Sequence, residues 1–318
     1  MRRHLTACAV ALLVMGLPAR GIADQASTGE ATTQAQAADL VEVRLKDGSV
    51  IYGIIQTEAP DHLVIRTLGG GVMKVERAQI ASLEPARGQV VNGEFRPADA
   101  NATRLLFAPT GRALKRGEGY VGVYGFLLPF VQVGITDRLS VGAGTPLVFF
   151  GDESSRPLWL TPKYQFYRSP RVSAAAGVLH FVVLGEEVQV GLAYAVGTFG
   201  SEDSALTAGI GWAYAHYFET EADPSCVSTR PPGLPCEEPR RTTETVRAPV
   251  AMIGGERRIS RRVKLVTENY LFEAGGVASV GVRFLGDRLS ADLGMFAPLS
   301  SEEVFLAPIV NFVWTFGR

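Results

Sequence analysis

From Gly119 to Arg318 the chain repeats one local design, and that repeat restricts the fold more than any other feature. Runs of roughly 8 to 13 residues alternate apolar with polar or small side chains, the two-residue period of a strand with two unlike faces. They lie at 119–127, 130–136, 139–149, 157–167, 172–183, 187–197, 204–217, 246–257, 262–272, 277–284, 288–297 and 304–316. One set of connections is short and mostly basic: "TDRLS" at 136–140, "SPRVS" at 169–173, "SRRVK" at 260–264 and "GDRLS" at 286–290, with the acidic "GSEDSAL" at 200–206 as the exception. The other set is varied and sometimes long: "FGDESSRP", "LGEE", the stretch from Glu219 to Thr245, "EAGG" and "LSSEE".

The alternation divides each run into two faces. In 157–167, Leu158, Leu160, Pro162, Tyr164 and Phe166 oppose Thr161, Lys163 and Gln165. In 130–136, Val131, Val133 and Ile135 oppose Gln132, Gly134 and Thr136. In 187–197, Val188, Val190, Leu192, Tyr194 and Val196 oppose Gln189, Gly191, Ala193 and Ala195. In 288–297, Leu289, Ala291, Leu293 and Met295 oppose Arg288, Ser290, Asp292 and Gly294, and the last run sets Val310, Phe312, Trp314 and Phe316 against Asn311 and Thr315. The apolar face carries aromatic residues near strand ends: Trp159, Tyr164, Phe166, Trp212, Tyr214, Phe218, Trp314 and Phe316. The runs 119–127 and 172–183 are apolar or small on both faces and leave open whether they meet a neighbour, a plug segment or a bend.

A soluble sandwich shows the same period, but its core would have to bury the charges and glycines of the polar face. Beyond the first two dozen residues no apolar stretch reaches the ~20 residues of a membrane helix, so any membrane span is made of strands. Strands in hydrocarbon have to close on themselves, because an open edge leaves backbone groups unpaired. Short turns at one end and longer loops at the other fit such a barrel. The region resembles outer-membrane β-barrel proteins of Gram-negative bacteria as a class, including strands of the type "ISRRVKL" (259–265) and "ENYLF" (268–272). The resemblance implies outer-membrane lipid around the barrel and insertion by the barrel-assembly machinery. One departure is at the end: such chains usually finish on an aromatic residue, whereas Phe316 is followed here by Gly317 and Arg318.

The expected architecture is all-β: an antiparallel transmembrane β-barrel of about 12 strands over 119–318, preceded by a small module. Residues 1–23 have a basic start, an apolar core and a small-residue site at Gly21-Ile22-Ala23, the pattern of a secretory signal peptide. "LTAC" (5–8) fits a lipoprotein cysteine pattern less well, because the apolar core follows Cys8 instead of preceding it. Residues 24–39 are Ala, Thr, Gln and Ser without apolar periodicity and read as a flexible linker. Residues 40–87 hold short alternating runs broken by Asp47-Gly48, Ala59-Pro60-Asp61 and Gly69-Gly70-Gly71, each of them turn chemistry. The opening Val43, Leu45, Asp47 and Gly48, then Tyr52 to Ile55, Thr67 with Gly70, and Ile80 with Leu83, resemble Sm-like or SH3-like modules. Residues 88–118 read as an irregular connector.

The sequence contains 31 basic and 32 acidic residues, so it offers no electrostatic footprint for nucleic acid. Without Cys8 the chain keeps Cys226 and Cys236, expected as a local disulfide; "CVSTRPPGLPC" holds no further ligand that would make a metal site. His62, His180 and His216 stand beside no Ser-based motif, and "GGGVMKV" (69–75) lacks the helix of a phosphate loop, so neither a catalytic centre nor a cofactor is expected. The candidate lumen lining is Gln132, Lys163, Gln165, Gln189, Lys264, Glu268, Arg283, Asp292 and Asn311, with ion pairs expected among its charges. Two readings stay open for the barrel, a channel for a small polar solute and a filled structural barrel. A third makes the barrel an anchor and residues 40–87 the binder of a periplasmic or cell-wall partner, and a lipid-modifying enzyme is weaker still.

Overall fold

The computed structural model describes residues 40–147, 157–183, 188–221, 240–273, 275–299 and 305–317. The signal peptide, the linker and the Cys226–Cys236 pair expected from sequence lie outside the described residues. The strands are β1 (Leu40–Leu45), β2 (Val50–Glu58), β3 (His62–Thr67), β4 (Val72–Glu76), β5 (Ile80–Pro85), β6 (Gly88–Val91), β7 (Glu94–Pro97), β8 (Gly119–Tyr124), β9 (Leu128–Gly134) and β10 (Leu139–Gly144). They continue with β11 (Pro157–Leu160), β12 (Lys163–Arg168), β13 (Val172–Val183), β14 (Val188–Gly200), β15 (Ser204–Glu221), β16 (Arg240–Ser260), β17 (Val263–Phe272), β18 (Gly275–Leu285), β19 (Leu289–Pro298) and β20 (Ala307–Phe316).

The chain forms two compact units. In the first, a five-stranded antiparallel sheet in the order β4-β3-β2-β1-β5 buries Val43, Leu63, Ile65 and Val75 in its own small core. Alternation along β1 and β3 sends these side chains to one face, and Asp47-Gly48 turns the chain between β1 and β2 with Gly48 at φ 88°. Asp47 accepts the Ser49 backbone N–H at 2.8 Å, a bond that holds its carboxyl below the usual carboxylate range. The hairpin β6–β7 joins this unit through Phe95, which stacks on Tyr52 at 4.1 Å.

The second unit is a closed antiparallel barrel. Its sheet contains thirteen strand segments, but β11 and β12 both pair with β10 and β13 and are two halves of one wall strand, which makes twelve. The run 157–167, read from sequence as one strand, is interrupted because Pro162 has no N–H to give the ladder. The break is bridged locally, with Thr161 N–H donating to the Gly142 carbonyl at 2.8 Å and Val178 N–H to that of Pro162 at 3.0 Å. Closure comes from β20 and β8, in register from Asn311 opposite Tyr124 to Phe316 opposite Gly119. Among the described residues every strand of the barrel is paired on both sides, as hydrocarbon requires.

Outward positions carry large uncovered apolar side chains, among them Leu160, Phe166, Ile210, Trp212, Val280, Leu293 and Trp314. A soluble domain does not expose so continuous an apolar band, and lipid covers it at no cost in ordered water. Val280, at the middle of β18, is 56% exposed on this belt. Val280→Arg is expected to destabilise the inserted barrel by about 2–4 kcal/mol, read from urea unfolding in lipid vesicles. Arginine tolerated there without loss would place β18 away from the hydrocarbon.

Two sequence expectations are corrected. Trp159 does not belong to the outer aromatic belt: it points inward, 8% exposed, and packs against Phe181. In β14 the faces are inverted, because Leu192, Tyr194 and Val196 point into the barrel, whereas Gln189 shares the outer face with Ala193 and Phe199. The strand's inner face meets an apolar part of the interior, so the hydrophobic side is the inside.

Candidate functional site

The interior is occupied by the chain itself. The stretch read as an irregular connector divides into the β6–β7 hairpin and a segment, residues 100–114, that lies inside the barrel before β8 begins. This segment folds back on itself through a bridge between Arg104 and Pro109, with Leu105 N–H donating to the Ala108 carbonyl at 2.8 Å and Thr110 N–H to that of Thr103 at 2.9 Å. Leu105 and Leu106 are fully buried and pack with Val266 and Ile309 of the wall.

A folded-back segment of this kind cannot satisfy all its own carbonyl and N–H groups, and each one left bare in a dry interior is costly. The inner wall supplies the partners. Lys163 Nζ donates to the carbonyls of Thr103, Thr110 and Arg112 at 3.1, 3.3 and 2.6 Å. Gln165 Nε2 donates to the Gly111 carbonyl at 2.8 Å, and Thr198 Oγ1 accepts the Gly111 N–H at 2.9 Å. Arg283 reaches the carbonyls of Asn101, Arg104 and Leu105 while holding Asp292 through two nitrogens at 2.7 and 3.1 Å. Asn311 Nδ2 donates to the Leu106 carbonyl at 2.9 Å. Glu268 Oε2 accepts the N–H groups of Phe107 and Ala108, both at 2.9 Å, and its Oε1 accepts the Tyr270 hydroxyl at 2.7 Å.

The internal segment returns two arginines to the wall. Arg104 donates to the Tyr120 hydroxyl at 3.1 Å, the Phe107 carbonyl at 3.2 Å and Gln132 Oε1 at 2.8 Å. Arg112 pairs with Glu256, which also receives Lys264 Nζ at 3.0 Å. Of the nine residues expected to line the lumen, Gln132, Lys163, Gln165, Lys264, Glu268, Arg283, Asp292 and Asn311 are thus buried inside the barrel. Gln189 is not among them: it stands opposite His216 on the outer face. Among the wall charges Arg283 pairs with Asp292 and Lys264 with Glu256, whereas Glu268 accepts backbone N–H groups of the internal segment.

The sequence reading does not include Arg104, Arg112, Thr198 or Glu256. The available signal for Glu256 was Gly254-Gly255 just before it. A Cβ at Gly254 would stand 2.6 Å from Leu105 Cδ1, so that glycine makes room for the segment. Gly111 is tighter still, with a Cβ there 2.2 Å from the Ser173 carbonyl oxygen. Gly111→Val is expected to cost about 1–3 kcal/mol through overpacking, seen as a lower temperature for the gel-mobility shift of the folded barrel. An unchanged transition would mean that the segment is not seated against β13.

The histidines lie elsewhere. His180 Nδ1 shares a hydrogen bond with the Tyr214 hydroxyl at 2.8 Å, and His216 Nδ1 one with Thr245 Oγ1 at 2.9 Å. His62 Nδ1 is 2.7 Å from Asp61 Oδ1, a bond that lowers the Asp61 carboxyl below its usual range.

No family model matches the chain, and no curated protein is similar to it. Among solved structures, it is similar to the NanC porin at 8% identity and TM-score 0.36, over 64% of this chain and 99% of that one. It is similar to an outer-membrane channel from Pseudomonas putida F1 at 11% identity and TM-score 0.38, over 64% and 97%. OmpF of Salmonella typhi, in complex with daunomycin, is similar at 10% identity and TM-score 0.34, over 87% and 96%. The barrel described above rests on its own strand pairing and apolar exterior, independently of these likenesses.

Proposed function

We propose that this chain is an outer-membrane barrel kept shut by its own residues 100–114, a filled barrel in its resting state and not an open pore for polar solutes. The observation that carries the reading is that Lys163, Gln165, Glu268, Arg283 and Asn311 of the inner wall are all bonded to the backbone of that segment. An open polar channel keeps such groups for water and solute. In this reading residues 1–23 export the chain, the barrel-assembly machinery inserts it, and the 40–87 module stays in the periplasm. The test is planar-bilayer conductance of the intact protein in symmetric potassium chloride. A flat baseline is expected after insertion, with insertion proved separately by protease protection of the strands. Steady ohmic steps from the intact chain would contradict the reading and favour an open channel.

A further inference from the structure

Beside the tip of the internal segment a cavity of about 120 Å³ remains unfilled. Its walls are apolar over most of their extent, with Phe107, Leu179, Leu192, Val196, Val250 and Met252 contributing. Such a space stays dry unless polar partners converge on it, and an apolar cavity of comparable size binds a single benzene ring. The polar groups that do reach it are few: Arg104, Thr161, Tyr194 and Tyr270. Tyr270 is committed to Glu268, whereas the Tyr194 hydroxyl has no hydrogen-bond partner among the described residues.

Arg104 gives the cavity its character. Its three partners, the Tyr120 hydroxyl, the Phe107 carbonyl and the Gln132 amide, are all uncharged. These bonds use Nε and one hydrogen on each terminal nitrogen, so one N–H on each of Nη1 and Nη2 is left over. Among the described residues no carboxylate lies within ion-pair distance of it, in contrast to Arg283 with Asp292 and Arg112 with Glu256. A partly buried guanidinium with two unused donors and no counter-charge, at the edge of a greasy space, is complementary to an anionic head on a small apolar body.

We infer that this cavity binds a small amphipathic monoanion, an aromatic or short aliphatic carboxylate, with the carboxylate on Arg104 and the apolar body against Leu192, Val250 and Met252. The volume limits the body to about one six-membered ring. This site goes beyond the filled-barrel reading and depends on the internal segment being seated, which thiol accessibility at position 106 tests separately.

The probe is benzoate, with benzamide as an uncharged analogue of the same shape, titrated by calorimetry into the intact detergent-solubilised protein at neutral pH. Saturable benzoate binding is expected, at least about tenfold tighter than benzamide, because a charge-assisted hydrogen bond replaces a neutral one. Val250→Phe, which fills the space without touching Arg104, is expected to abolish benzoate binding while the heat-dependent gel shift of the barrel persists. Leu192→Phe serves the same purpose should Val250→Phe fail to assemble, and the benzoate-to-benzamide ratio is measured on the unsubstituted chain in any case. Absence of saturable binding, equal affinity for the two probes, or unchanged binding in the filled variant would each overturn the assignment.

Discussion

Replacing residues 101–112 by a Gly-Ser linker of equal length is expected to turn a silent barrel into a conducting one. A barrel of twelve strands lies between small ones that side chains alone can fill and the wide porins, so its interior is closed only if something occupies it. Here the occupant is the Arg104–Pro109 turn and its flanks. With them gone, Lys163, Glu268, Arg283 and Asn311 lose their backbone partners and hydrate, which draws water through the lumen. The remaining buried wall charges would be Lys163, Lys264 and Arg283 against Glu256, Glu268 and Asp292, a balanced set that favours neither ion. Adding Lys163→Glu to the deletion tips the set to acidic, and reversal potentials in a salt gradient should then move toward the cation. A deletion variant that inserts but stays silent would show that something other than this segment closes the barrel.

The largest single-residue effect is expected at Arg283. Its side chain is fully buried and joins Asp292 to three carbonyls of the internal segment, so one truncation strips partners from a carboxylate and from three backbone groups. Removing one member of a buried pair costs about 3–5 kcal/mol, because the other is left as an uncompensated charge. Arg283→Met should therefore shift urea unfolding in vesicles by that amount. Arg283→Met with Asp292→Asn should recover roughly 1 kcal/mol or more of it, since the stranded charge is gone. Equal losses in the single and double variants would mean that the pair is not coupled.

Both expectations concern residues that the sequence showed only in part. Alternation found the strands and, in most of them, the correct face. A period of two, however, divides a strand without saying which side is the inside. In β12 the sign was readable because Lys163 and Gln165 have to avoid lipid. In β14 it was not, since Leu192, Tyr194 and Val196 look like a lipid face and instead border the apolar cavity, leaving Gln189 outside. Trp159 misled for a related reason, an interfacial residue type used to pack Phe181 within the barrel. The internal segment had no periodic signal at all. Residues 100–114 are held by wall side chains that bond their backbone, and a backbone partner leaves no trace in side-chain pattern. Only the surplus of buried-type polar residues hinted that the interior had something to bind, and the glycines at 111 and 254 mark where it comes close.

The most direct test of an occupied interior is thiol accessibility at Leu106, a fully buried side chain of the internal segment. Cys226 and Cys236 are replaced by Ser, Leu106→Cys is introduced, and a small charged methanethiosulfonate reagent is applied to the folded protein and again after heating. Lys115→Cys, at an exposed position, sets the rate of an open thiol. Protection of Cys at 106 until the barrel unfolds is the expected result; labelling at the rate of the exposed site in the folded state would contradict the filled barrel.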